Sequence, residues 1–198
     1  MGLPKRVPSL TVSEYLRIER AATFRSEFFR GEMFAMAGGS PKHSLIKMNL
    51  SGSLWSRLRG KPCAPYDSDL RIRCRTGLYT YPDTSVICGE LEFDDEQKDT
   101  VLNPTLIVEV LSKTTEAYDR GKKFDNYSTI PALREYVLVS QDEPMMQRFL
   151  RNDDGTWTLT SVSGMDRSLK LLSIDVEIPL AEVFDRVDFT ADEPESIS

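Results

Sequence analysis

The sequence predicts a mixed α/β (α+β) fold: an αβββαβ core with a mixed central sheet flanked by helices, an N-terminal helix and hairpin before it, and extra C-terminal strands. Three observations predict it. Apolar residues at helical spacing, such as Leu45, Ile46, Leu50, Leu54 and Leu58, alternate along the chain with short β-branched and aromatic runs such as Glu135-Tyr136-Val137-Leu138-Val139. The apolar run at 106–111, the helical stretch at 115–130 and the strand at 136–139 make a βαβ unit, which implies a parallel pair at the sheet centre. At 198 residues the chain has the length of one domain with a real core. That domain is expected over residues 11–186, with tails at 1–10 and 187–198, the latter acidic and frayed from Thr190 to Ser198.

Each element has a local reason. Thr11-Val12-Ser13-Glu14 has capping-box spacing ahead of Tyr15, Leu16 and Ile18, which predicts a short helix ending near Ala22. Gly31 sits at the centre of two aromatic-rich strands in the hairpin at 27–36, and Gly38-Gly39-Ser40-Pro41 breaks the second. Ser40 as N-cap and Pro41 at the first helical position open a long helix. Strands follow near 63–66, 69–74, 81–88 and 106–111, with Thr76-Gly77 as a turn. The acid-rich stretch at 89–102 reads as a loop with solvated charges. After the helix at 115–130 and the strand at 135–139, strands are predicted near 145–150, 157–162 and 169–172. Asn152-Asp153-Asp154-Gly155 forms a hairpin turn, and a last short helix begins near Pro179.

Composition narrows the function. Lys and Arg total 25 against 31 Asp and Glu, a formal charge of -6, so nothing attracts a polyanion globally. Nucleic-acid binding would need a local patch, either Arg71, Arg73 and Arg75 along one strand or Lys42, Lys47, Arg57, Arg59 and Lys61 on or beside the long helix. Phe28, Phe29, Phe34, Trp55 and Trp157 are expected to pack rather than to stack on bases. Cys63, Cys74 and Cys88 are odd in number without C-x-x-C spacing, so reduced core thiols are expected. With no apolar run of signal length and none of ~18 residues, the protein is expected to be soluble and cytoplasmic. There is no G-x-x-x-x-G-K-[ST] loop and no G-x-S-x-G elbow, and His43, the single histidine, cannot build a multi-histidine zinc site.

Two acids stand out because they lie within apolar strand sequence: Asp83 in Tyr81-Pro82-Asp83-Thr84-Ser85-Val86-Ile87-Cys88 and Glu109 in Leu106-Ile107-Val108-Glu109-Val110-Leu111. A carboxylate so flanked persists only when paired, hydrogen-bonded or bound to a cation. Asp83 could alternatively bond backbone N–H groups at a strand start. If the two strands are neighbours, both acids can share one divalent ion, with the carbonyl of Val110 as a third oxygen ligand. A lysine nearby would orient the attacking water or stabilise the transition state. Lys123 lies four residues after Asp119, the spacing of an ordinary helix ion pair worth ~0.3–0.5 kcal/mol.

Several blocks together carry a resemblance. Glu27-x-x-x-Gly31-Glu32, His43, Tyr81-Pro82-Asp83, Asn103-Pro104-x-Leu106-x-Val108-Glu109-Val110-Leu111-Ser112, Tyr118-Asp119-Arg120-Gly121-x-Lys123 and Pro131-x-Leu133-x-Glu135-Tyr136 resemble the Uma-type restriction endonuclease family of the PD-(D/E)XK nuclease superfamily, over residues 12–184. The resemblance implies a restriction-endonuclease-like fold and a Mg²⁺- or Mn²⁺-dependent endonuclease that hydrolyses phosphodiester bonds of DNA with Mg-activated water. It places the metal on Asp83, Glu109 and the Val110 carbonyl, with Asp83, Glu109 and Lys123 as the catalytic set. Leu111 departs from the lysine of the family's D/E-x-K pattern, and Lys123 on the following helix is the matching position for a relocated lysine. Glu27, His43 and Tyr127 are accessory candidates: a further acid or anchor, a phosphate or supporting contact, and a residue lining the site. A duplex substrate would favour a homodimer joined through the hairpin or the late strands. The alternative is a catalytically silent nucleic-acid-binding or regulatory module on the same fold, which the net charge and the displaced lysine favour.

Overall fold

The first helix forms where its cap predicts. In α1 (Val12–Ala21) the Glu14 N–H donates to the Thr11 hydroxyl at 3.2 Å, while the Thr11 N–H donates to the Glu14 carboxylate at 2.8 Å. These elements belong to a computed structural model that describes residues 9–36 and 38–190. The frayed tail expected beyond Thr190 lies outside the described residues, whereas Leu10, Val187 and Phe189 pack against core clusters.

The hairpin consists of β1 (Ser26–Phe29) and β2 (Glu32–Ala35), joined by Arg30 and Gly31 with φ of 51° and 88°. Two positive φ values match the right-handed twist of the strands, and a Cβ on Gly31 would meet that of Ser9 at 2.5 Å. In α2 (Pro41–Leu58) the Ser40 hydroxyl accepts from the His43 N–H at 3.1 Å. Its stripe Ile46, Leu50, Leu54 and Leu58 packs on Val86, Leu106, Val108 and Val110. Trp55, expected to pack, is instead 59% exposed, since it lies off that stripe.

The remaining strands build two main sheets and a short ribbon. They are β3 (Cys63–Asp67), β4 (Arg71–Arg73), β5 (Tyr79–Thr80), β6 (Thr84–Cys88), β7 (Thr100–Val101), β8 (Leu106–Val110), β9 (Glu135–Val139), β10 (Met145–Arg151), β11 (Trp157–Ser163), β12 (Ser168–Leu171) and β13 (Val176–Pro179). One sheet has the order β2-β1-β5-β4-β7, the other β11-β10-β9-β8-β6-β3, and β12 pairs with β13. The fold is mixed α+β with mixed sheets flanked by helices, and β8 and β9 are the parallel pair of the βαβ unit. The late strand β13 leads into the short helix α5 (Leu180–Val183) near the expected position.

Four expectations are corrected. The strand expected at 81–88 begins only at Thr84, as β6, and the residues just before it, Tyr79–Thr80, form β5 of the other sheet. Tyr81-Pro82-Asp83 is the link between them, where proline lacks a ladder donor. The helix expected over 115–130 is α3 (Glu116–Tyr118), a π-type turn at Asp119–Lys123 and α4 (Phe124–Tyr127). The acid-rich segment is not simply solvated, because β7 lies within it and Asp94 and Asp99 pair with Arg73 and Arg71. Arg71 is thereby buried, and Arg73, still partly exposed, has its charge matched by Asp94. Finally, Cys63 and Cys88 are not free thiols. They face each other in the β3–β6 register and form a disulfide, while Cys74 is free and buried. Among the described residues no helix is long and apolar enough to cross a membrane.

Candidate active site

Strand alternation sets the site. Leu106, Val108 and Val110 face the core under α2, while Ile107 and Leu111 join Tyr127, Tyr136 and Leu138 on the other side. Glu109 shares that second side, as a period of two requires. The sheet-to-sheet link brings Asp83 alongside it. The Asp83 N–H donates to Glu109 Oε2 at 3.3 Å, and the Val110 N–H donates to Asp83 Oδ2 at 2.8 Å. The two acids therefore lie side by side, each bonded to main-chain N–H groups next to the other.

The π-type turn brings the cation in. An extra residue in the turn re-aims the side chains, so Asp119 and Lys123 are both buried while Lys122 is exposed. Lys123 Nζ lies 2.9 Å from Glu109 Oε1, 3.4 Å from Asp119 Oδ1 and 3.5 Å from Glu27 Oε1. The helix ion pair with Asp119 is thus real, but it is one of three contacts in a buried group rather than a surface pair. Glu27 accepts bonds from the Thr80 hydroxyl and from the Tyr118 hydroxyl, the latter at 3.1 Å. Tyr127 donates to Glu109 Oε1 at 2.7 Å from a fully buried position, so it supports the acid from below rather than lining the cavity.

His43 reaches the site from the first turn of α2, with Nε2 3.1 Å from Asp83 Oδ2. Asp83, Glu109, Val110, Lys123, Glu27, His43 and Tyr127 therefore share one neighbourhood. Thr80 and Gln141 are additions for which the sequence carries no signal. Gln141 donates to the Leu111 carbonyl and accepts from the Ser40 hydroxyl at 3.0 Å, tying the end of β9 to the cap of α2. Asp119 and Tyr118 lie inside a quoted sequence block, but only the turn geometry gives them contacts.

Electrostatically the site is short of positive charge. Burial pushes the Glu109 carboxyl up to about 8, Asp83 and Asp119 add to the rise, and Lys123 and the Tyr127 hydroxyl oppose it. Burial also raises Asp119. For Asp83, burial is outweighed by the His43 hydrogen bond and charge and by the Val110 N–H, which hold the carboxyl below its ordinary range. Burial works against the Lys123 charge, yet Glu109, Glu27 and Asp119 keep its ammonium well above the usual range.

These residues floor a cavity of about 700 Å³ that is also lined by Phe34, Met36, Ser112, Lys113 and Thr115. Among the described residues no group of three or more His, Cys, Asp or Glu side chains is placed to hold a metal ion. What the site offers a cation is the adjoining Asp83 and Glu109 carboxylates. That all-oxygen set with surplus negative charge suits a hard divalent ion.

Comparisons with known proteins bear on the family and the fold. The model of the Uma2 family, described as "Putative restriction endonuclease", matches residues 12–181. Two Synechocystis sp. proteins are similar in sequence. The uncharacterized protein slr1290 is 39% identical over 89% of this chain and 92% of its own, and sll1609 is 36% identical over 81% and 92%. The crystal structure of a "putative nuclease belonging to DUF820" from Anabaena variabilis superposes with a TM-score of 0.71 at 17% identity, covering 88% of this chain and 97% of that one. At that identity the match speaks for the fold.

Proposed function

The chain belongs to the Uma2 family, and from that premise we propose that it is a divalent-cation-dependent nuclease that hydrolyses phosphodiester bonds of DNA. Mg²⁺ or Mn²⁺ would be held by Asp83, Glu109 and the main-chain carbonyl of Val110. The observation that carries this reading is the mutual lock of the two acids through the Asp83 and Val110 N–H groups, with the Lys123 ammonium 2.9 Å from Glu109. When bound, the cation supplies neutralisation of the phosphate charge and acidification of an attacking water.

The protein's own side chains do the remaining work. Lys123, steadied by Glu27 and Asp119, orients the water and stabilises charge developing on the phosphoryl oxygens. His43 and the Val110 N–H fix the Asp83 carboxylate, and Tyr127 fixes Glu109. Glu27 is held in turn by Thr80 and Tyr118, so it acts on the lysine's position.

The test is incubation of the purified chain with plasmid and single-stranded DNA plus Mn²⁺, beside Asp83→Ala, Glu109→Ala and Lys123→Ala. Cleavage by the parent chain and loss in all three variants is expected. Cleavage that survives in all three would overturn the reading. A second reading, a silent binding module, draws on one observation: Lys123 is already neutralised by three carboxylates, as in a purely structural ion cluster. Thermal melting separates the two, since a working site is stabilised by Mg²⁺ in the parent and not in Asp83→Ala.

A further inference from the structure

Phe34 stands directly opposite Glu27 in the β1–β2 ladder. Opposed residues of an antiparallel pair project to the same face with Cβ atoms ~4.5–5.5 Å apart, so the ring stands beside the acid that contacts Lys123. It lies on β2, the outermost strand of its sheet, and is 49% exposed where it lines the cavity. Met36 continues that apolar wall, and the same cavity presents Ser112, Lys113 and Thr115, groups suited to phosphate oxygens. Apolar and phosphate-compatible surface thus border one set of acids, which is the chemistry of a nucleotide.

We propose that Phe34 is a stacking platform for an unpaired base and that the substrate of this site is single-stranded or locally unpaired DNA. The inference rests on the nuclease reading above and deepens it. A base offers its face to a protein aromatic only when it has left its own stack, and such stacking tolerates any sequence. The chain's charge of -6 points the same way. A duplex carries one negative charge per ~1.7 Å of axis, about twice the density of a single strand, so an acidic chain repels it more, and stacking adds affinity that needs no charge.

The test is fluorescence anisotropy of the full chain with a labelled oligonucleotide, as a single strand and annealed to its complement, with Mg²⁺ and with chelator, and parallel cleavage assays in Mn²⁺. The single strand binds more tightly than the duplex. Phe34→Ala weakens single-strand binding about ten- to a hundredfold, the value of one base–aromatic stack, without lowering the melting temperature. Phe34→Trp keeps the affinity, and a strand of abasic nucleotides binds the parent as weakly as the intact strand binds Phe34→Ala. Equal or tighter duplex binding, or a Phe34→Ala affinity equal to the parent's, overturns the proposal. Phe34-dependent binding without cleavage removes the nuclease reading alone, whereas cleavage and binding of the single strand untouched by Phe34→Ala overturn this proposal and leave the nuclease reading standing.

Discussion

Two groups of charged side chains flank Tyr81, and they are built on opposite principles. On one side Arg20, Arg71 and Arg73 face Asp94, Asp95 and Asp99, cation for anion. Arg71 is almost wholly buried, yet its guanidinium reaches the Tyr81 hydroxyl at 3.0 Å, Thr100 at 2.7 Å and Asp99 at 2.8 Å. The Arg20 hydrogen bond holds the Asp99 carboxyl well below its ordinary range despite burial. On the other side Glu27, Glu109 and Asp119 converge on Lys123, and Asp83 faces His43. There burial wins for Glu109 and Asp119, whose carboxyls are pushed up. Matched charge glues the acid-rich segment to the sheet. Crowded acids in a cavity are relieved either by taking up a proton or by a cation.

The contrast breaks most visibly at Lys123. Replacing it by Met strips the acidic group of its one lysine, and a cost of about 3–5 kcal/mol in chemical denaturation is expected, as for a buried charge left without its partner. Saturating Mg²⁺ should recover part of it. A loss below about 1 kcal/mol would mean that the carboxylates simply protonate and that the contrast is empty.

A second, intermediate effect separates the regions by pH. Because the Glu109 carboxyl is raised in the fold from 4.5 to about 8, its contribution is complete below the lower value and is lost as pH climbs through the upper one. The metal-free protein should therefore melt at falling temperature across that window, and Glu109→Gln or added Mg²⁺ should flatten the decline. Asp99 has the opposite sign: its depressed carboxyl stabilises above its ordinary range and that support disappears in acid. Melting curves across the pH range that show no alkaline slope in the parent would contradict the surplus-charge picture. The smallest effect belongs to Arg20→Ala, whose side chain is 30% exposed in a solvent-screened group. It should cost only about 0.2–1 kcal/mol and leave Mg²⁺ stabilisation unchanged, as measured by denaturant titration.

What could be read from the sequence was local or periodic. The Thr11 and Ser40 caps, the Gly31 turn, the α2 stripe and the β8–β9 crossover each carry their signal within a few residues. Asp83 and Glu109 were legible because a carboxylate among apolar strand residues needs a partner. The π-type turn was not, since one extra residue in a helical turn leaves no mark on composition or spacing. Nor was the change of sheet at Pro82, which shows only when strand partners are known. Arg71 with Asp99 and Cys63 with Cys88 pair across sequence separations that only the fold closes. The partial exposure of Phe34 depends on β2 being an edge, another fact of topology rather than of sequence.

The Tyr81–Asp83 link has a mechanical corollary. Glu27 and Phe34 ride on the five-stranded sheet, Glu109 on the six-stranded one, and Asp83 on the strap between them. The constellation therefore exists only while both platforms hold their mutual placement. A slip of the smaller platform would scatter its members yet leave the larger, β8-centred core folded, so competence can vanish before integrity does.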